Sequence, residues 1–292
     1  MSAIAAEPTL RPATPRSAQL RRFARRNPTI VAGGAILGLI ALLAILAPLF
    51  AGDAVTMHPA LRLRPPSAED WLGTDHLGRD VFARTIYGAR VSLIVGMSVA
   101  AMSITVGLVI GLLAGYFRKV EAVVMRLMDG LMAIPAILLA IALVALTRAS
   151  VSTVIIAITI PEIPRVVRLV RAVVLSVREA PYVEAAIAGG TPTWKILIRH
   201  ILPSTIAPLI VQATYICASA ILIEAALSFL GAGTPPEIPT WGNMIAQSRL
   251  FLSRAPWTIF APGIALALVV LAVNLLGDGL RDRLDPRLAR RM

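Results

Sequence analysis

Few side chains in this sequence are of the types that carry out acid–base, metal or nucleophilic chemistry. The three histidines are His58, His76 and His200, and none stands in the His-Glu-x-x-His pattern that places two zinc ligands on one helix face. The two lysines, Lys119 and Lys195, do not follow the glycine-rich loop with which proteins cradle nucleotide phosphates. We therefore expect no catalytic residue, no metal site and no bound cofactor, ATP included, in this chain.

One short polar stretch combines acids with a histidine. It contains Gly73, Asp75, His76, Gly78, Arg79 and Asp80. The two acids that flank the histidine leave a weak metal site open as one interpretation. The other is an ordered turn, in which the glycines lie at the bends and the acids accept hydrogen bonds from nearby amides. We favour the turn.

The elements that carry these residues are strongly apolar. Of the 292 residues, 57% are hydrophobic and only 15% are charged, whereas an ordinary soluble domain has about 25% charged residues. This charge is too little to cover a globule of such a size, so the surplus apolar surface must face lipid.

The net charge of +12 is explained by where the basic residues lie. The arginines gather in the N-terminal tail, in the polar joints between apolar runs and at the C-terminus, where they hold helix ends at an anionic membrane surface. Aromatic residues make up only 5% of the sequence and do not alternate with basic ones, as stacking on bases would require. We therefore predict a lipid membrane, and no nucleic acid, as the partner of this charge.

Six apolar runs are long enough to cross a bilayer as helices, which takes about 20 residues. They cover residues 28–51, 90–117, 122–146, 151–175, 206–230 and 257–276. The first is too long for the apolar part of a signal peptide. The sequence therefore predicts an all-α polytopic membrane protein with about six transmembrane helices.

An even number of spans places both termini on one side of the membrane, and the positive-inside rule identifies that side. Most basic residues lie in the tail 1–27, at 118–119, within 165–199 and in the tail 281–292. Both tails are therefore predicted to be cytoplasmic. The polar stretch 52–85 then forms an external loop.

The segment between the fourth and fifth runs, residues 176–204, is the most informative part of the sequence. Pro181 suits the first turn of a helix, and the glycines that follow suit its end, because glycine readily takes the left-handed conformation needed there. Thr191 suits the N-cap of a second, amphipathic helix, which Pro203 would end. The segment is thus predicted to be a helix pair on the cytoplasmic surface.

This segment also carries a family pattern, Glu-Ala-Ala-x-x-x-Gly followed by Leu-Pro. Its residues are Glu184, Ala185, Ala186, Gly190, Leu202 and Pro203. The pattern resembles the EAA loop of bacterial ABC-importer permeases, although His200 stands where the family usually has an aliphatic residue. Further strings, at 72–80, 224–231 with a downstream Trp-Gly, and 274–282, resemble the second permease subunit of dipeptide, oligopeptide and nickel importers.

The resemblance covers residues 22–287 and implies the type I ABC-importer fold, with a permease core at 86–280 behind the first helix. It implies a bacterial inner-membrane location with the loop 52–85 in the periplasm. The implied partners are a second, similar permease, two ATP-binding subunits that carry ATP and magnesium, and a periplasmic solute-binding protein. The first helix of the EAA loop, with Tyr182 and Glu184, would contact an ATP-binding subunit.

Four polar residues within or near the apolar runs are costly in a membrane and call for individual interpretation. Glu224 lies inside the fifth run and either faces the translocation path or pairs across helices. Asn274 is a second candidate for the path, although hydrogen bonding between helices also explains it. Arg126 and Asp129, three residues apart, are expected to pair on one helix face.

Other functions remain to be weighed against import. An ion-coupled secondary transporter predicts a relay of buried acids and inverted repeats, and a membrane enzyme predicts a histidine-based site. A scaffold without transport would not explain four family strings in order. Small peptides are the favoured cargo, since most members of this branch resemble peptide systems, with nickel chelates or another small solute as the alternative.

Overall fold

The computed structural model of the protein describes residues 24–284. Within this range all regular elements are helices, and strand-like pairing is limited to one isolated bridge between Thr74 and Asp80. The predicted all-α fold is confirmed. The predictions for most of the N-terminal tail, including Arg21 and Arg22, and for residues 285–292 lie outside the described residues.

The described helices are named here in chain order. They are α1 (Pro28–Phe50), α2 (Val81–Tyr116), α3 (Arg118–Met132), α4 (Ala136–Ala145), α5 (Val151–Val177), α6 (Pro181–Ala188), α7 (Thr193–Phe229), α8 (Trp241–Ser248) and α9 (Trp257–Leu284). Short 3₁₀ turns at Pro59–Leu61 and Arg249–Phe251 lie in the connections before α2 and after α8.

The number of candidate spans is smaller than the predicted six. Helices α1, α2, α7 and α9 are long and apolar enough to cross a membrane, and α3 with α4, bent by 85°, makes a fifth if the pair is one span. Helix α5 has 27 residues, but Glu162, Arg165 and Arg168 fall within its apolar part. The described helices therefore include four or five candidate spans by length and composition. Helix α5 is also long, but it carries too many charged residues to be recognised as a span by its composition.

Helices α2 and α5 meet along a seam of small residues. Gly107, Gly111 and Gly115, spaced one turn apart on α2, face valines at 166, 170 and 174 on α5, and a Cβ at each glycine would lie 2.5–2.6 Å from the valine Cβ. Close approach of backbones at small residues is how membrane helices gain packing contacts. This seam makes α2 and α5 the most closely joined helices of the described chain.

Helix α3 is amphipathic and is tied to α5 by ion pairs. Arg168 Nη2 lies 2.5 Å from Asp129 Oδ1, and Arg171 binds Glu121 through both Nε and Nη2. The predicted pair of Arg126 with Asp129 is wrong, because Asp129 faces α5 and binds an arginine there instead.

The second helix of the cytoplasmic segment does not end at Pro203. Thr191 does not cap it, since Pro192 holds the N-cap position, and the helix continues as α7 through a π-helical turn, Ile196–Ile201, into Leu202–Phe229. Pro203 falls in the first turn after the π-helical one, where a missing N–H costs little. Leu202 N donates to Leu197 O, the wider spacing of a π turn.

Candidate functional site

Helix α6 of the segment 176–204 is closed by the second of the two glycines that follow it. Gly190 has φ +74°, Gly190 N donates to Ile187 O at 3.0 Å, and Thr191 N donates to Ala186 O at 3.0 Å. This is the Schellman arrangement, in which a left-handed residue after the helix lets two amides satisfy its last carbonyls. The predicted turn at Gly190 is therefore present, and it sets the direction in which the chain leaves α6.

One side chain of α6 joins it to the helix bundle. Val183 is fully buried and belongs to the same apolar cluster as Val174 of α5 and Ile196 and Ile201 of the π turn. Tyr182 is exposed, and its ring lies 6.4 Å from that of His200. Any displacement of α6 must therefore act on the ends of α5 and α7.

The outer surface of this segment is apolar and exposed. Its large side chains are Tyr182, Ile187, Trp194 and Ile198, with exposed fractions of 50–60%. Glu184 and Ala185 are exposed beside them, Ala186 and Leu202 are half-buried, and Pro203 is exposed. A cluster of exposed aromatic and aliphatic side chains next to polar ones is typical of a protein docking surface.

The loop between α1 and α2 is organised around Asp75. Its Oδ1 accepts hydrogen bonds from Leu77 N at 2.8 Å and Arg79 N at 3.0 Å, and its Oδ2 lies 2.7 Å from Arg79 Nε. Arg79 in turn donates from Nη2 to Gln247 Oε1 at 2.7 Å. Asp75 thus accepts hydrogen bonds from nearby amides, as the predicted turn requires. Through Arg79 it also joins the loop to α8.

The glycines of this loop lie at its bends. Gly73 has φ +69° and Gly78 has φ +75°, and a Cβ on Gly78 would lie 1.9 Å from His58 O. Asp80 caps α2 by accepting from Phe82 N at 2.8 Å. Helix α2 therefore begins inside the predicted loop 52–85 and nine residues before the predicted apolar run.

His76 is not part of a metal site in the described chain. Its ring stacks on Phe251 at 5.5 Å between centroids, both Asp75 oxygens are engaged, and no three metal-ligating side chains come together within residues 24–284. Burial lowers the pKa of His76 below its ordinary value of 6.5, partly opposed by the charge of Asp75.

We expect this loop to lose stability in mild acid. The folded loop favours neutral His76, so its contribution is complete above pH 6.5 and is lost as the pH falls through the lowered folded pKa. Hydrogen-exchange protection of residues 72–80, corrected for intrinsic rates, should fall several-fold from pH 7.5 to 5.5. His76→Phe should flatten this dependence, and His58→Phe, at an exposed position, should not. An unchanged pH dependence in His76→Phe would contradict the assignment.

Glu224 lies buried inside the helix bundle. Its side chain is fully buried, and Ser228 Oγ donates to its Oε1 at 2.8 Å. The hydroxyls of Ser92 on α2 and Thr240 before α8 lie close to the carboxylate. Of the two alternatives, this arrangement agrees with contact across helices.

Asn274 lies on a groove between α5, α7 and α9 with a volume of about 680 Å³. Its polar lining is Ser204, Gln212, Thr214, Tyr215, Asn274, Asp278 and Arg281. The groove runs along α7 from Ser204 to Tyr215 and along the last turns of α9, so it opens at the end of the bundle where the segment 176–204 lies.

Sequence reasoning missed Glu162 and underrated Arg165. Glu162 is fully buried on α5, and Arg165 Nη1 lies 3.6 Å from its Oε1. Arg165 also donates to Tyr215 Oη at 3.5 Å. An acid followed three residues later by arginine inside an apolar run is a visible signal in the sequence. It is missed when residues 151–175 are interpreted as one uniform transmembrane span.

Comparison with known proteins gives consistent matches. Residues 107–290 match the family described as binding-protein-dependent transport system inner membrane component, and residues 15–66 match the N-terminal transmembrane domain of oligopeptide transport permease C. A probable peptide ABC transporter permease of Sinorhizobium fredii is 62% identical over 270 residues, which cover 92% of this chain and 93% of that protein.

Two further relatives align over a similar share of the chain, at lower identity. A dipeptide transport system permease of Alkalihalophilus pseudofirmus is 45% identical over 90% of this chain and 88% of its own length. A putative peptide transport system permease of Brucella suis is 47% identical over 92% of this chain and 90% of its own length.

Proposed function

The chain belongs to the family of binding-protein-dependent transport system inner membrane components, and from this premise we propose that it is a permease subunit that imports small peptides with energy from ATP. The expected resemblance to ABC permeases is confirmed by the family matches. Peptide cargo is supported by the names of relatives that align along nearly their full length. Nickel chelates and other small solutes remain the alternative cargo.

The proposed assembly contains this chain, a second similar permease, two ATP-binding subunits and a periplasmic solute-binding protein. Neither Lys119 nor Lys195 stands in a phosphate-binding loop, so a separate subunit hydrolyses ATP. Both tails and α6 lie on the cytoplasmic side in this arrangement, as the distribution of basic residues favours.

The observation that carries the proposal is the construction of α6. Its exposed face, with Tyr182 and Glu184, is suited to docking, while Val183 on the opposite face packs with the ends of α5 and α7. When ATP closes the ATP-binding pair, α6 is displaced, and the displacement reaches the bundle through Val183. Binding protein and nucleotide must both favour the outward-facing state, because a ligand shifts an equilibrium only through differential affinity.

Uptake by the reconstituted transporter tests the function. The complete complex in proteoliposomes, supplied with its binding protein and labelled dialanine outside, should accumulate the peptide only with ATP inside. The accumulation should survive a protonophore, since no ion gradient drives it. Uptake that continues without ATP and stops with the protonophore would instead establish the secondary transporter. Mass spectrometry of the purified complex checks the expected subunits.

A further inference from the structure

The groove between α5, α7 and α9 has charges that are not neutralised within the described chain. Asn274, Asp278 and Arg281 are spaced four and three residues apart and therefore share one face of α9. All three side chains are exposed. Neither Asp278 nor Arg281 takes part in an ion pair among residues 24–284.

The α7 side of the groove is also polar. Gln212 and Tyr215 line the groove from the middle of α7, a helix that is otherwise apolar enough to span the membrane. Amide and charged groups at such depth do not face lipid, because the bilayer core offers them no hydrogen-bonding partner. The groove therefore holds water or solute.

A positioned arginine, Arg165, adjoins the groove through Tyr215, one of its lining residues. Leu169 of α5 lines the groove, and Arg165 lies one turn earlier on the same helix face, further from the cytoplasmic end. Its guanidinium is held between Glu162, at 3.6 Å, and Tyr215 Oη, at 3.5 Å, and sits 5.9 Å from the centre of the Tyr215 ring. The Arg165 side chain is still 39% exposed, so it keeps donors for a further anion.

Arg165 thus places a cation beside the deep end of the groove, Asp278 places a carboxylate nearer the cytoplasm, and Arg281 lies beyond Asp278 on α9. A short peptide has the complementary pattern, with a carboxylate at one end, an ammonium at the other and amides between. Guanidinium and carboxylate form strong charge-assisted pairs, and the side-chain amides of Gln212 and Asn274 suit a peptide bond. A volume of about 680 Å³ is within the range of small-molecule sites.

We propose that this groove is a low-affinity peptide site on the cytoplasmic side of the permease, where Arg165 binds the C-terminal carboxylate and Asp278 binds the N-terminal ammonium. Glu162 and Tyr215 are positioning residues for Arg165. The affinity is low because a transported solute must leave the site. The inference rests on the proposed peptide import and adds a site within the permease itself.

Binding of end-modified dipeptides to the purified complex tests the site. Dialanine, its C-terminal amide and its N-acetyl derivative are titrated by saturation-transfer NMR onto the complex of permeases and ATP-binding subunits, without binding protein or nucleotide. Dialanine should bind in the millimolar range, and each modification should weaken binding about tenfold, as expected for loss of a charged hydrogen bond.

The variants should reproduce this selectivity. Arg165→Gln should weaken the binding of dialanine about tenfold and leave the binding of its C-terminal amide unchanged. Asp278→Asn should also weaken the binding of dialanine about tenfold, and it should leave the binding of the N-acetyl derivative unchanged. Tyr215→Phe, a milder change, should give a smaller loss confined to ligands with a free carboxylate. Arg168→Gln, three residues along α5 and paired with Asp129, is the matched control.

Two results would overturn the site. One is the absence of binding by any of the three ligands, and the other is an equal loss for all ligands in the Arg165 and Tyr215 variants. Dialanine uptake by the same complex with its binding protein separates the two proposals. Uptake without groove binding overturns this inference alone, whereas the absence of peptide uptake counts against the proposed function.

Discussion

Replacing Gly190 by proline is expected to abolish peptide uptake while the protein remains inserted in the membrane. Gly190 has φ +74° and donates its amide to Ile187 O at 3.0 Å. Proline fixes φ near −65° and has no amide hydrogen, so the chain must leave α6 in another direction. The exposed face of α6 then no longer meets the ATP-binding subunit. ATP hydrolysis should continue without transport, as measured by phosphate release and peptide uptake in proteoliposomes.

The neighbouring glycine supplies the control. Gly189 has φ −75°, so Gly189→Ala should retain most of the uptake, whereas Gly190→Ala forces an alanine into the left-handed region at a cost of about 1–2 kcal/mol. Glu184→Lys, at an exposed position of α6, should uncouple in the same way through the docking face. Normal uptake by both Gly190→Pro and Glu184→Lys, at normal protein levels, would rule out the coupling role.

Gly111→Val is expected to destabilise the bundle at the α2–α5 seam. A Cβ at Gly111 would lie 2.6 Å from the Val170 Cβ and 3.1 Å from Val167 O, so the helices must separate. Overpacking of this kind costs about 1–3 kcal/mol, or more where backbone must move. The thermal unfolding midpoint of the purified complex and the amount of protein in the membrane should both fall clearly.

Gly38 provides a matched comparison for the seam. It lies on α1, and no atom is found within 4 Å of its Cβ position. Gly38→Val should therefore leave the midpoint nearly unchanged. Equal midpoints for the two variants would show that α2 and α5 do not need their close approach.

The turn at Gly190 and the bends at Gly73 and Gly78 could be predicted because local chemistry decides them. All three glycines have positive φ, a conformation that other residues adopt only at a cost. The acids Asp75 and Asp80 likewise act on amides within a few residues. Such features depend on short stretches of chain, so the sequence determines them without knowledge of the fold.

The errors arose where distant parts of the chain decide the outcome. Pro203 ends a helix by propensity, yet the π turn before it lets α7 continue. Asp129 has Arg126 nearby in sequence but binds Arg168 because α3 lies against α5. Glu224 had two open interpretations because nothing in the sequence showed that Ser228 and the segment before α8 enclose it.

The groove was only partly predictable for the same reason. Asn274 was recognised as a polar residue in an apolar run, but its neighbours Gln212 and Tyr215 lie on α7, some 60 residues away in sequence. Only the packing of α9 against α7 brings them together. The contact of Arg165 with Glu162, three residues away on α5, is local, whereas its contact with Tyr215 emerges only from the packing of α5 against α7.

The seam between α2 and α5 also determines how often the chain crosses the membrane. Gly107 meets Val166 and Gly115 meets Val174, so residue numbers rise together and the two helices point the same way. The connection at 117–150 must therefore carry the polypeptide back to its starting leaflet. It contains only α3 and α4, with 15 and 10 residues, and neither reaches across alone. Together they complete one return passage, and the 85° corner lies on the route of that passage.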